Sequence, residues 1–173
     1  MKRLCLLRHA KSDWADKAQH DAQRPLNKRG QKAAAFMAGF MVARGFQPDA
    51  VLCSTAKRAV ATVAPLAEQC PDLPVIYRDA LYMAMPEKLL EQVATLPADA
   101  GTGLIVAHNP GLSLFALHLL ADPEGPEGQD LTEGFTTGAL AVLDFDVASW
   151  TEVTLGLGHL VFFGRPRQLM AAP

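Results

Sequence analysis

Leu4-Cys5-Leu6-Leu7-Arg8-His9 decides how this chain is read: an unbroken apolar run leads straight into an arginine and a histidine, followed by Ala10-Lys11-Ser12-Asp13. Such a run predicts a strand buried on both faces, as in the parallel sheets of α/β proteins. Its carboxyl end then carries two functional side chains, and in open α/β sheets ligands bind in the crevice beyond the strand carboxyl ends. An imidazole beside a guanidinium is suited to an anion there, phosphate first. Taken alone, an Arg-His dipeptide is more simply a hydrogen-bonded strand end.

Two further strand ends change that balance. Asp49-Ala50-Val51-Leu52-Cys53 runs into Ser54-Thr55-Ala56-Lys57-Arg58, where Ser54 or Thr55 is suited to cap a helix with Arg58 in its first turn. Gly103-Leu104-Ile105-Val106-Ala107-His108 is followed by Asn109, read as an N-cap, and Pro110, read as the first helical residue. Helix amino termini offer free N–H groups to anions. Three strand-to-helix junctions thus deliver cationic or imidazole groups to one crevice.

Between these junctions the periodicity switches regularly from strand to helix. Strands are expected at about 3–9, 49–53, 75–78, 103–108, 139–145 and 150–157, the last two as a hairpin. Helices are expected from Asn27 to about Gly45, at about 55–69, from Pro86, and up to about Leu120. The stripe Phe36, Met37, Phe40 and Met41 is core. Ser12 to Arg24 reads as a polar loop over the crevice, and 122–135, rich in Pro, Gly and acid, as a mobile surface loop. The architecture implied is α/β: a doubly wound, largely parallel sheet flanked by helices, with a late antiparallel hairpin.

The 173 residues suit one domain spanning 1–173. A net charge of -2 leaves no footprint for nucleic acid. Four apolar residues before Arg8 are too few for a signal peptide, and no stretch approaches a membrane span, so the expected location is cytoplasmic. Cys5, Cys53 and Cys70 form no CxxC pair, which disfavours a disulfide framework or a zinc knuckle. No metal site and no cofactor are expected.

Arg8-His9, Ser54-Thr55-Ala56-Lys57-Arg58 and Val106-Ala107-His108-Asn109-Pro110 resemble the histidine phosphatase superfamily, within it the SixA-like phosphohistidine phosphatases. Arg24-Pro25-Leu26 with Gly30, the stretch from Leu81 to Glu87, and Phe135-Thr136-Thr137-Gly138 share the likeness. The resemblance implies a phosphoglycerate mutase-like fold and a metal-independent phosphatase working through a phosphohistidine on His9. It places Arg8 and Arg58 in the phosphate pocket and makes His108 a donor to a phosphoryl oxygen.

The general acid stays open. Acid-phosphatase branches carry an aspartate after the second histidine, where this chain has Asn109. Glu87 is the candidate by analogy with the mutase-like branch, but it also reads as a first-turn acid complementing a helix dipole. Asp13 is a weaker candidate. A phosphoramidate nitrogen needs less help in leaving than an alkoxide, so the expected partner is a phosphorylated protein carrying phosphohistidine, with phosphate released. The alternatives are a phosphomonoesterase acting on a small phosphorylated metabolite and a noncatalytic phosphate-binding module. Arg24 is expected to anchor the first loop through a carboxylate such as Asp21. His118 is read as a partly buried helix residue, and His20 and His159 as surface residues.

Overall fold

Leu4 and Leu6 are fully buried on one side of a strand, Cys5 and Leu7 on the other, which is what an unbroken apolar run demands. The computed structural model describes residues 1–173 and makes this strand, β1 (Lys2–Arg8), an interior member of a six-stranded sheet. The others are β2 (Ala50–Ser54), β3 (Val75–Arg78), β4 (Thr102–Ala107), β5 (Leu140–Phe145) and β6 (His159–Gly164), in the order β3-β2-β4-β1-β5-β6. The pairs β3–β2, β2–β4 and β4–β1 are parallel, whereas β5 is antiparallel to both β1 and β6. All the parallel strands therefore end on the same edge. There β1, β2 and β4 hand over to His9, to the turn before Arg58, and to His108.

Helices cover both faces. α1 (Lys28–Ala43) and α2 (Lys57–Gln69) pack on Cys5, Leu7, Cys53 and Val106 through Met37, Met41, Val63 and Leu66. Asn27 caps α1 by accepting from the Gly30 N–H at 2.8 Å, and Gly45 follows its end at φ +70°, a conformation glycine adopts without strain. On the opposite face α3 (Pro86–Val93), α4 (Gly111–Leu119) and α5 (Pro126–Gly134) bury Leu89, Val93, Leu112, Phe115 and Leu131 against Leu4, Leu6, Leu52 and Ile105. A last helix, α6 (Pro166–Ala171), lies beside α1.

Several boundaries differ from the sequence reading. Residues 150–157 are not a strand. Trp150–Glu152 is a single 3-10 turn closed by a capping box from Ser149 to Glu152, and buried Trp150 donates its Nε1–H to Ala100 O at 3.0 Å. Leu155 and Leu157, whose alternation imitates a strand, are exposed. The antiparallel partner of β5 is His159–Gly164. Within 122–135, Pro126 opens α5 instead of breaking structure, because proline suits the first helical turn, and Leu131 anchors the helix in the core. The 12–24 loop contains a 3-10 turn, Asp21–Gln23. The cap of α2 is Ala56, with no side-chain bond, and that of α4 is Pro110; Asn109 instead accepts from the Ser113 N–H at 3.2 Å.

Candidate active site

The end of β1 is fixed from both sides. The Arg8 N–H donates to Ala139 O at 3.0 Å and the His9 N–H to Ala107 O at 3.1 Å, while the Gly138 N–H donates to the carbonyls of Arg8 and His9 at 3.1 and 3.0 Å. Gly138 has φ +76°, and a Cβ there would lie 2.7 Å from Pro166 Cγ. A glycine is required for that approach. One residue on, the Ala10 N–H donates to Thr62 Oγ1 at 2.9 Å, and this hydroxyl donates to Arg58 O at 2.7 Å. The first strand end and the second helix are thereby stitched together.

His9 is 7 % exposed. Its Nδ1 lies 2.8 Å from Ala10 O; a carbonyl only accepts, so Nδ1 carries the proton and Nε2 keeps its lone pair. The Arg58 Nε–H donates to that Nε2 at 3.3 Å. Burial pushes the His9 pKa down to about 4, against the pull of the Ala10 carbonyl, and the Arg58 and Arg8 charges lower it further. The neighbouring cations do help keep His9 neutral, but burial is the larger cause.

His108, 1 % exposed, sits with its ring centroid 5.1 Å from that of His9. Its Nδ1 accepts from Arg58 Nη2 at 3.3 Å, which leaves Nε2–H to donate to Ser54 Oγ at 2.7 Å. Burial, then the proximity of His9 and Arg58, pushes its pKa down to about 3. Arg8 donates through Nη1 to Phe135 O at 3.0 Å, and its Nε is buried without a partner. Burial, then Arg58, lowers the Arg8 pKa. Two neutral imidazoles are thus gathered around one buried guanidinium, with a second guanidinium close enough to act on both rings.

The family follows from the comparisons with known proteins. The model of the histidine phosphatase superfamily (branch 1) matches residues 4–82. An uncharacterised protein of Mycobacterium tuberculosis is 37% identical over 164 residues, covering 93% of this chain and 100% of the relative. A Nakamurella multipartitia protein assigned as a phosphohistidine phosphatase SixA is 31% identical, with a TM-score of 0.83 over 95% of this chain and 96% of that one. The structure of a protein histidine phosphatase SixA complexed with tungstate, at 22% identity, shares the fold with a TM-score of 0.74 over 96% of this chain and 99% of that one. The chain belongs to the histidine phosphatase superfamily. Its fold is the phosphoglycerate mutase-like one of that superfamily.

In this histidine phosphatase, His9, Arg58 and His108 share direct hydrogen bonds. Glu87 does not join them. It is exposed in the first turn of α3 and makes no hydrogen bond to any of the four candidate residues. Asp13 accepts from the Ala15 N–H in its own turn. Asn109 donates through Nδ2 to Phe135 O, the carbonyl that Arg8 also uses. Arg24 pairs with Asp21 at 2.6 Å, the loop anchor expected from the sequence. His118 is exposed, not partly buried, because position 118 falls on the outer face of α4; His20 and His159 are exposed as well.

Three residues take part in the site in ways the sequence reading missed, although it named Ser54 as a cap and Asp21 as an anchor for Arg24. Ser54 acts as a partner of His108 and accepts from the Ala56 N–H at 3.3 Å. Asp21 reaches Arg58 as well as Arg24. Tyr82 donates its hydroxyl to Asp21 Oδ2 at 2.5 Å and stands edge-on to His108 with centroids 5.4 Å apart. The only local signals were a carboxylate three residues before Arg24 and a tyrosine after a strand, neither specific to a site.

Proposed function

We propose that this phosphatase removes the phosphoryl group from protein phosphohistidine, through a covalent intermediate on His9 and without a metal ion. The observation that carries the reading is the His9 ring: Nδ1–H held on the Ala10 carbonyl, and Nε2 turned with its lone pair toward Arg58. A neutral imidazole so oriented is a nucleophile that needs no base. Attack forms the Nε2–P bond as the P–N bond of the substrate breaks, the leaving imidazole taking a proton from solvent. Water then attacks the phosphorylated His9, gives up a proton to solvent, releases phosphate and returns His9 to its starting state.

Arg58 and Arg8 supply the fixed positive charge that nonbridging oxygens require. His108 enters differently. Without an anion its Nδ1 accepts from Arg58; a phosphoryl dianion beside it raises its pKa, and a proton taken on Nδ1 turns that atom into a donor while Nε2–H stays on Ser54. The substrate preference rests on the carboxylates. The Asp21 carboxyl is lowered from its ordinary value, chiefly by the Tyr82 hydroxyl, while Glu87 points to solvent and Asn109 has no acidic proton. None of these three side chains is placed to protonate an alkoxide, whereas an imidazole leaving group takes its proton readily. The tungstate complex of the SixA neighbour supports an oxyanion in a pocket of this fold.

Quenching turnover of a labelled phosphohistidine peptide without acid, then mapping the label, tests this reading. Label on His9, absent in His9→Ala, is the expected result. Phosphate release by His9→Ala at most of the parent rate would remove His9 from the mechanism. Binding of phosphate without label would leave a binding module, and equal turnover of phosphoserine peptides would favour a general phosphomonoesterase.

A further inference from the structure

Arg58 is bonded along both edges of its guanidinium, and the two edges face different kinds of group. The edge formed by Nε and Nη2 points at the imidazoles, to His9 Nε2 and His108 Nδ1, each at 3.3 Å. The edge formed by Nη1 and Nη2 is taken by Asp21, whose backbone carbonyl accepts from Nη1 at 2.7 Å and whose Oδ2 accepts from Nη2 at 3.0 Å. The carboxylate is itself fully engaged: Oδ1 meets Arg24 Nη2 at 2.6 Å, and Oδ2 also takes the Tyr82 hydroxyl at 2.5 Å. Behind it the Arg24 guanidinium lies 3.2 Å from the centroid of the Trp14 ring.

We infer that Asp21, braced by Tyr82 and Arg24, is a positioning residue that clamps the outer edge of Arg58 so that its Nε–Nη2 edge is presented as a fork to the phosphoryl group. The inference deepens the reading of Arg58 as a phosphoryl ligand and rests on it. A free arginine side chain samples many rotamers, and a fork aligned in advance loses less entropy for each hydrogen bond it makes. Asp21 is 43 % exposed as a side chain, so the pair adds little to global stability. Its effect is on direction. A carboxylate with both oxygens already occupied neither competes for the phosphoryl site nor serves as a proton donor, and its three partners leave it one orientation.

The same arrangement explains why a polar loop crosses the crevice. Ser12 bridges to Leu26, and the Asp13 N–H and the Asn27 N–H donate to Pro25 O and Lys11 O. These contacts close the loop at its base and bring Asp21 back over Arg58. The short turn at Asp21–Gln23, capped by His20 Nδ1 accepting from the Ala22 N–H, holds the carboxylate at the needed height.

The experiment is a double-mutant cycle in the full chain: Asp21→Asn and Tyr82→Phe, each alone and combined with Arg58→Lys. Tungstate affinity by calorimetry and kcat on a phosphohistidine peptide are read together with the Arg58 Nε–H cross peak in proton–nitrogen spectra. Asp21→Asn is expected to weaken tungstate binding and lower kcat by about tenfold, the usual worth of one charge-assisted hydrogen bond, with a smaller loss for Tyr82→Phe. The Nε–H peak broadens in both. In the Arg58→Lys background, which lacks the fork, Asp21→Asn changes either quantity by less than about twofold. Parental values in Asp21→Asn, or its full effect persisting beside Arg58→Lys, would overturn the inference while the functional reading stands. A parent protein that binds no tungstate and turns over no phosphohistidine would overturn both. Should Asp21→Asn fail to fold, Tyr82→Phe decides the question by the same criteria.

Discussion

Two buried imidazoles make this protein sensitive to acid in a way that can be calculated. His9 and His108 are held neutral, with pKa values pushed by burial from 6.5 down to about 4 and about 3. In the unfolded chain both charge as the pH falls through about 6.5; in the folded chain they resist until the lower values. The unfolded state then binds more protons, so stability falls with falling pH across that window. At about 1.4 kcal/mol per pH unit for each withheld proton, each histidine costs about 3 kcal/mol by pH 4. Together that is a large share of a typical folding stability of about 5–15 kcal/mol. Urea unfolding followed by the fluorescence of Trp150, which is buried, at pH 7 and pH 4 measures the loss. In His9→Gln, which cannot titrate, the loss between the two pH values shrinks by about 3 kcal/mol. Parallel pH dependence in the parent and in His9→Gln would show that His9 is not held neutral by its site. It would also remove the reason that the ring is ready to attack at neutral pH.

Other outcomes follow from the same geometry. Arg58→Ala and His108→Ala each lower kcat on a phosphohistidine peptide by on the order of a hundredfold or more if both act on the transferring group; near-parental rates in both would show that the strand ends do not form one site. Arg8→Lys loses most of the activity because a point charge does not replace a planar fork, which steady-state kinetics would reveal. EDTA leaves turnover unchanged, and loss of activity restored by a divalent ion would contradict the metal-free reading. Glu87→Gln leaves phosphohistidine turnover at the parent rate, since Glu87 is exposed in the first turn of α3; a large loss would bring Glu87 into the mechanism as the acid.

The parts of the fold that were legible are those set by local burial. Leu4 to Leu7, Val51 to Cys53 and Leu104 to Val106 read as strands because both their faces are covered, and the chemical groups at their ends could be read with them. The late region failed for the opposite reason. Leu155 and Leu157 alternate without being buried, while Leu160, Phe162 and Phe163 are half-buried on an edge strand and give only a weak period. Arg8, His9, Arg58 and His108 each stand beside a strand end, so position along the chain singled them out as candidates that the fold then gathers. Asp21 meets Arg58 across 37 residues and Tyr82 across 61, and no local pattern encodes such a meeting. Ser54 was noticed for the wrong task, since a serine before a helix suits capping as well as it suits an imidazole.

The charges around the site give one reason for the conditional behaviour of His108. Arg8 and Arg58 act on both imidazoles, opposed by the Asp21 carboxylate. The two guanidinium charges add to burial in keeping both imidazoles unprotonated, and they suit an incoming phosphoryl dianion. A bound dianion opposes that field at His108 and so favours protonation of Nδ1. A donor created only by the presence of substrate adds no positive charge beside the Arg58 fork or the His9 nucleophile beforehand. His9, already turned by the Ala10 carbonyl, keeps its lone pair throughout. On the proposed reaction, acid strength is therefore unnecessary at the leaving group and conditional at the phosphoryl oxygens, a combination that a phosphoramidate substrate allows and an alkyl ester does not.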